Sequence, residues 1–166
     1  KLLQQKEWNI SEQQIYTALS QVKKINGLHG RWETIHQHPS VIVDVGHNED
    51  GIKQVVAQLA ETTYNKLHII TGMVKDKEVE KVLSLLPKDA TYYFTHAHLP
   101  RALPEDQLQA KAAVFGLKGE TYPDVNNALS IALQNASTND LILICGSVFL
   151  AGEVDITRQT PTSDGI

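Results

Sequence analysis

Hydrophobic and polar positions follow two different periods along this chain. Short apolar runs, such as residues 141–145, are typical of buried strands, whereas residues 50–61 carry apolar side chains three and four positions apart, as amphipathic helices do. The pattern predicts strands at residues 32–35, 41–45, 67–72, 91–95, 119–122 and 141–145. It predicts helices at residues 11–24, 50–61, 77–86, 104–115 and 125–134.

The regular alternation of strands and helices predicts the fold class. It indicates an α/β fold, a Rossmann-like and mostly parallel sheet of about six strands with helices on both faces. The short break at His38 and Pro39 separates the first two predicted strands. Because so short a connection suits a hairpin, we expect that pair to be antiparallel and the others parallel.

The length and charge of the chain limit the kinds of partner that it can have. With 166 residues and 42% hydrophobic side chains, the chain is long enough for one domain with a substantial core. The balance of 15 basic and 19 acidic side chains argues against a nucleic-acid partner, since phosphate binding needs clustered Lys and Arg. No apolar stretch approaches the ~20 residues of a membrane span and no targeting segment is visible, so we expect a cytoplasmic protein without a membrane partner. The single Cys145 lies within an apolar run, which predicts a buried thiol in a reducing compartment.

A cluster of polar residues follows the second predicted strand and precedes a helix. It consists of Asp44, Val45, Gly46, His47 and Asn48. Small ligands of open α/β sheets bind beyond the carboxyl ends of the strands, so this turn is a candidate site. Asp44 could accept hydrogen bonds from ribose hydroxyls, or it could simply cap the turn. His47 could donate to a phosphoryl or carboxylate oxygen, or it could hold the turn by a bond to the backbone.

The same segment superficially matches a phosphate-binding P-loop. The match fails because Lys53 comes one position late and no Ser or Thr follows it. In addition, Glu49 and Asp50 would place negative charge where phosphates should lie. No dinucleotide-binding glycine fingerprint follows any predicted strand either.

Two further motifs carry groups suited to anions. Gly30, Arg31, Trp32 and Glu33 stand at the start of the first predicted strand, and Gly146 and Ser147 follow the last. The planar fork of Arg31 could hold phosphoryl oxygens at the edge of a cleft, although an arginine at a strand start is also typical of a solvated surface. The hydroxyl and amides at Ser147 suit a carboxylate, or they could cap a helix.

Paired histidines raise the hypothesis of a metal site. His36 with His38, and His96 with His98, would each place two imidazoles on one face of an extended segment. A zinc site needs further ligands at suitable spacing, and none is evident. We therefore expect no metal site and surface or cleft-edge positions for these histidines.

The motifs occur in an order that resembles a known family. The Gly30–Glu33 motif, the 44–48 turn, the loop 72–77 and Gly146–Ser147 together resemble the C-terminal domain of folylpolyglutamate synthase/dihydrofolate synthase, a Mur ligase superfamily member. The resemblance runs from about residue 28 to 154. It implies an ATP-dependent ligase that joins L-glutamate to a folate or dihydropteroate carboxylate through an acyl phosphate. It also implies a linker helix at 1–27, a glutamate- and ATP-binding domain at 28–155 and a tail at 156–166.

The resemblance assigns roles to particular residues. Catalytic roles fall on Arg31 and His47, and ATP contacts fall on Arg31, Asp44, His47 and Asn48. Contacts to glutamate fall on Lys77, Arg101 and Ser147, with the choice between Lys75 and Lys77 open. Asp76, between these two lysines, could equally be the N-cap of a helix with mixed surface charge. Arg101 ends a segment that resembles the Thr-x-x-x-Pro-Arg loop of related ligases, with two additional residues.

ATP and Mg²⁺ would be held mainly by an ATPase domain that precedes this one in the family. The P-loop belongs to that domain, so the isolated chain is expected to be inactive. Two alternatives remain open. One is a stand-alone Rossmann-like nucleotide-binding module without chemistry, and the other is the same domain of another Mur-type amino-acid ligase.

Overall fold

The structure is a computed structural model that describes residues 8–22, 27, 29–75 and 78–155. Its strands are β1 Glu33–Gln37, β2 Ser40–Val43, β3 Leu67–Thr71, β4 Ala90–Phe94, β5 Lys118–Thr121 and β6 Leu141–Cys145. Its helices are α1 Glu12–Ser20, α2 Glu49–Ala60, α3 Val79–Leu85, α4 Glu105–Val114, α5 Val125–Asn135 and α6 Val148–Gly152. Among these residues, no helix is both long and apolar enough to cross a membrane.

The strands form one sheet in the order β1-β2-β6-β3-β4-β5. β1 is antiparallel to β2, and every other neighbouring pair is parallel. The predicted α/β class, the mostly parallel sheet and the initial hairpin are therefore confirmed. Because β6 lies between β2 and β3, the loops that follow β2, β6, β3 and β4 meet at one edge of the sheet.

Helices cover both faces of the sheet, as predicted. On one face, α2, α3 and α4 pack against the strands, and the fully buried Leu83 and Leu143 belong to this cluster. On the other face, Leu129 of α5 and Leu150 of α6 pack with Ile144 of β6. Burying each such side chain contributes about 1.5–3 kcal/mol, so the two clusters hold the strand ends in place. Helix α1 buries no side chain among the described residues.

Several predicted boundaries differ from the structure for local reasons. The second strand ends at Val43, two residues early, because the Asp44 carboxylate accepts the Gly46 amide and turns the chain. Trp32 lies outside β1 because its backbone is left-handed, with φ 44°. The first helix begins after Ser11, which forms a capping box, and the element ends at Ser20. Residues 23–26 and the predicted tail 156–166 lie outside the described residues.

Cys145 is buried at the end of β6, as its apolar surroundings predict. Burial raises the pKa of its thiol to about 12, because the low-dielectric core disfavours the thiolate. The thiol is therefore protonated near neutral pH and behaves as a small apolar side chain.

Candidate functional site

Backbone hydrogen bonds join the loops at the carboxyl edge of the sheet. The Gly146 N–H donates to the Gly46 carbonyl at 2.9 Å, which links the loop after β6 to the loop after β2. The Lys75 N–H donates to the Arg101 carbonyl at 2.9 Å, which links the loop after β3 to the loop after β4. The predicted motifs, separated by up to a hundred residues in sequence, therefore lie along one edge.

Asp44 is buried and bound to the backbone. One carboxylate oxygen accepts the Gly46 N–H and the other accepts the Trp32 N–H, each at 2.8 Å. The side chain thus performs the turn-capping role that sequence reasoning held as the alternative. Each carboxylate oxygen can accept a second hydrogen bond, so contact with ribose hydroxyls stays a prediction.

His47 and Asn48 are exposed at the same turn. The His47 Nδ1–H donates to the Val45 carbonyl at 2.9 Å. Because a carbonyl can only accept, this bond places a proton on Nδ1, and it is the backbone bond that sequence reasoning gave as the alternative role of His47. Asn48 Oδ1 accepts the Gly51 N–H at 2.8 Å and is the N-cap of α2.

Gly146 packs closely against the end of β3 at this edge. Gly146 has φ 101°, a left-handed value that L side chains rarely adopt. A Cβ at this position would lie 2.6 Å from Thr71 Oγ1 and 3.0 Å from the Gly72 carbonyl oxygen. Only glycine therefore lets the chain leave β6 so close to the end of β3.

Ser147 and Arg101 meet at Phe149. The buried Ser147 hydroxyl oxygen accepts the Phe149 N–H at 3.2 Å and caps α6, which leaves its own O–H to donate. The guanidinium of the exposed Arg101 lies over the Phe149 ring, 5.0 Å from its centroid. The structure thus brings together two of the residues predicted to bind glutamate.

The other predicted cations are exposed or lie outside the described residues. Arg31 is exposed, between Gly30 and Trp32. Lys75 is exposed on the loop after β3. Lys77 and Asp76 lie outside the described residues, so the choice between the two lysines stays open. Helix α3 begins at Val79, after Glu78 as its N-cap, rather than at 77.

A cavity of about 180 Å³ opens at this edge. Its lining residues are His47, Asn48, Met73, Val74, Glu78, Val79, Val82 and Gly146. Pockets that enclose a drug-sized ligand measure about 300–1,000 Å³, so this cavity holds only part of such a molecule. A larger cavity of about 320 Å³ lies at the opposite edge, where β2 and β6 begin, and its lining includes none of the predicted site residues.

Two histidine–glutamate contacts border the loop after β4. His96 Nδ1 lies 2.7 Å from Glu105, and His98 donates both its backbone N–H and its Nδ1–H to Glu153, at 2.7 and 2.9 Å. The hydrogen bond and charge of Glu153 raise the pKa of His98 above its usual value of 6.5. Within the described ranges, no three His, Cys, Asp or Glu side chains converge as a metal site.

We expect the titration of His98 to depend on Glu153. Because the folded pKa is raised above 6.5, the stabilisation from this pair is fully present below that pH and is lost as pH rises through the folded pKa. An NMR titration of the imidazole should show a pKa that returns toward 6.5 in Glu153→Gln and stays raised in the control Glu120→Gln. Identical titration curves in all three proteins would contradict the interaction between His98 and Glu153.

Sequence reasoning missed two residues that contact the predicted site. Glu33 accepts the Gly30 N–H at 2.7 Å, beside Arg31. Phe149 supports Arg101 from two positions after Ser147. Glu33 was visible as the last residue of the Gly-Arg-Trp-Glu motif, whereas nothing local to Phe149 indicates a partner 48 residues away.

In open α/β sheets small ligands bind in the crevice beyond the carboxyl ends of the strands, and the polar groups of this domain are gathered there. The match to known proteins identifies the family. Residues 30–148 match the family described as Mur ligase, glutamate ligase domain, and the chain belongs to it.

Known relatives agree with the predicted resemblance, which is confirmed. A probable bifunctional folylpolyglutamate synthase/dihydropteroate synthase of Haloferax volcanii is 31% identical over 129 residues, covering 77% of this chain and 15% of that protein. A UDP-N-acetylmuramoyl-L-alanyl-D-glutamate–2,6-diaminopimelate ligase of Listeria monocytogenes is 29% identical, covering 78% of this chain and 28% of that protein. The chain thus spans less than a third of the length of these relatives.

A solved structure shares the fold. The bifunctional folylpolyglutamate synthase/dihydrofolate synthase of Yersinia pestis, in complex with AMPPNP and a manganese ion, superposes with a TM-score of 0.73 at 28% identity. The match covers 87% of this chain and 33% of that one.

Proposed function

We propose that this chain is the glutamate- and ATP-binding domain of an ATP-dependent ligase that adds L-glutamate to a folate or dihydropteroate carboxylate. The observation that carries the proposal is the convergence of the 44–48 turn with Ser147 and Arg101 along one sheet edge. Family membership and the similarity to folylpolyglutamate synthases support it. In this proposal residues 1–27 link to a preceding ATPase domain and residues 28–155 form the ligase domain.

The proposed chemistry has two steps. A carboxylate oxygen of the folate substrate attacks the γ-phosphorus of ATP, and ADP leaves as an acyl phosphate forms. The amine of glutamate then attacks the acyl carbon, inorganic phosphate leaves and an amide forms. Both steps need anionic groups to be held together and their developing charge to be neutralised, which positioned cations achieve.

In this proposal the nucleotide binds at the 44–48 turn. Asp44 would accept from ribose hydroxyls through its remaining acceptor positions, and His47 and Asn48 would contact the same ligand from the exposed side. Arg31 would hold a phosphoryl oxygen at the edge of the site. As the family resemblance implies, Mg²⁺ would be held mainly by the preceding domain.

Glutamate would bind at the loops that follow β4 and β6. The free O–H of Ser147 would donate to one carboxylate, and the guanidinium of Arg101 would hold another bidentately. Lys77 is proposed as a further cation for this substrate. The cavity of about 180 Å³ is smaller than pockets that enclose a nucleotide-sized ligand, so in this proposal a second domain completes the site and excludes water.

We expect Asp44→Ala and Ser147→Ala to impair different substrates in the ligase that carries this domain. Loss of one such contact costs about 1–3 kcal/mol, so the KM for ATP should rise about fivefold to hundredfold in the first variant and the KM for glutamate in the second. Steady-state kinetics against each substrate checks this. An equal change in both constants in both variants would refute the assignment, and Ser130→Ala on the exposed face of α5 is the control.

The isolated chain is expected to fold and to be catalytically silent. The sequence contains no P-loop, so neither ATP hydrolysis nor folate-dependent glutamate ligation should exceed background. Circular dichroism would report folding, and ADP release would report activity. Turnover by the isolated chain would contradict the two-domain proposal.

One other activity has a specific observation in its favour, namely the similarity to the diaminopimelate ligase. Assays of ADP release by the intact enzyme distinguish the two activities. ADP release that requires folate or dihydropteroate together with glutamate supports our proposal. Release that requires a muramoyl peptide and diaminopimelate instead would assign the chain to the other Mur-type ligase.

A further inference from the structure

Arg31 lies in a turn with an unusual backbone. The residues on both sides of it are left-handed, Gly30 with φ 73° and Trp32 with φ 44°. Glycine adopts this conformation freely, whereas a tryptophan is strained by its Cβ. Such strain persists only where the surrounding structure holds the backbone in place.

Two carboxylates and one amide hold this turn. Asp44 accepts the Trp32 N–H at 2.8 Å, and the Val45 N–H donates to the Gly30 carbonyl at 2.8 Å. On the other side, Glu33 accepts the Gly30 N–H at 2.7 Å. A Cβ on Gly30 would lie 2.6 Å from the Val45 side chain, so the turn has little room to shift.

Glu33 is the part of this arrangement without an assigned role. Its side chain is only 15% exposed, although it belongs to an edge strand. Its second oxygen lies 3.0 Å from Nδ1 of His29, whose side chain is 70% exposed. The carboxylate thus reaches back across the turn and fixes the backbone on the amino side of Arg31, while Asp44 fixes the carboxyl side.

We propose that Glu33 is a positioning residue for Arg31. The proposal rests on the proposed function, in which Arg31 holds a phosphoryl oxygen. Without the carboxylate, the Gly30 amide loses its acceptor and the strained Trp32 can relax toward an extended backbone. The guanidinium would then sample positions away from the phosphoryl group, which lowers the rate of the chemical step more than it weakens substrate binding.

Steady-state kinetics on the intact ligase tests this. Glu33→Ala should lower kcat about fivefold to thirtyfold, the effect of one lost hydrogen bond of this kind, with each KM within about twofold. Glu33→Gln keeps an acceptor for the Gly30 amide and should recover most of the activity. Glu120→Ala, at an exposed position on β5, should match the parent enzyme. Glu33→Asp keeps the charge but shortens the reach, and it replaces Glu33→Ala if that variant does not fold.

A double-mutant cycle separates positioning from general stability. In the Arg31→Ala enzyme, adding Glu33→Ala should lower kcat by no more than about twofold further, since the group that it positions is gone. Full additivity of the two losses, or no recovery in Glu33→Gln, overturns the positioning role. If Arg31→Ala is slow while Glu33→Ala is unaffected, this inference fails and the proposed function stands. If Arg31→Ala is fully active, the proposed role of Arg31 fails first.

Discussion

Arg31→Ala is expected to lower the turnover number of the intact ligase about a hundredfold, the usual cost of removing one group that stabilises developing charge. The KM values for ATP and glutamate should change less than about threefold, because the proposed partner gains charge only as the reaction proceeds. Arg31→Lys keeps the charge but loses the planar pair of donors, so it should also be slow.

Rapid-quench and steady-state kinetics of the two variants provide the measurement. Lys118→Ala, which removes an exposed cation at the start of β5, is the matched control for loss of a positive charge. Activity in Arg31→Ala equal to that of the parent enzyme would show that Arg31 is a solvated surface residue without a role in the reaction.

Gly146→Ala should lower the free energy of unfolding by about 2–4 kcal/mol, because the new Cβ meets neighbours on a backbone that disfavours it. The Cβ would lie 2.6 Å from Thr71 Oγ1 and 3.0 Å from a backbone oxygen, at φ 101°. Thr71 is fully buried and cannot easily move. Relief of the overlap would shift the start of α6 and, with it, the proposed contacts of Ser147.

Gly152→Ala is the matched control, since no atom lies within 4 Å of its added Cβ and the residue is helical. It should be neutral or stabilise the fold by up to about 1 kcal/mol, as Ala does in helices. Urea unfolding of the isolated chain compares the two variants. Equal midpoints would show that the loop after β6 tolerates a side chain.

The periodicity of the chain was sufficient to predict the six strands and every described helix except the short α6. Runs such as 141–145 are buried on both faces of a parallel sheet, and this continuous apolarity separates them from the helices. Element ends were harder, because long-range polar contacts decide them. The first strand begins only after Trp32, whose amide binds Asp44, a contact between residues 12 positions apart that no local pattern encodes.

The candidate site was predictable only in part. The motifs named Asp44, His47, Arg101 and Ser147, and the structure gathers them at one edge. The supporting contacts depend on tertiary packing, so the sequence did not reveal them. Phe149 supports Arg101 only because the topology places α6 beside the loop after β4. The left-handed backbone of Trp32 is similarly invisible, since tryptophan has no preference for it.

The position of β6 has a consequence for synthesis of the protein. This strand is the last of the sheet in sequence, yet it pairs with both β2 and β3 and joins the two halves. On the ribosome, the β1–β2 hairpin and the β3–β4–β5 unit therefore remain separate until residues 141–145 have left the exit tunnel. During that interval the edges of β2 and β3 that β6 will cover are unpaired, and such edges expose the nascent chain to aggregation until its final strand arrives.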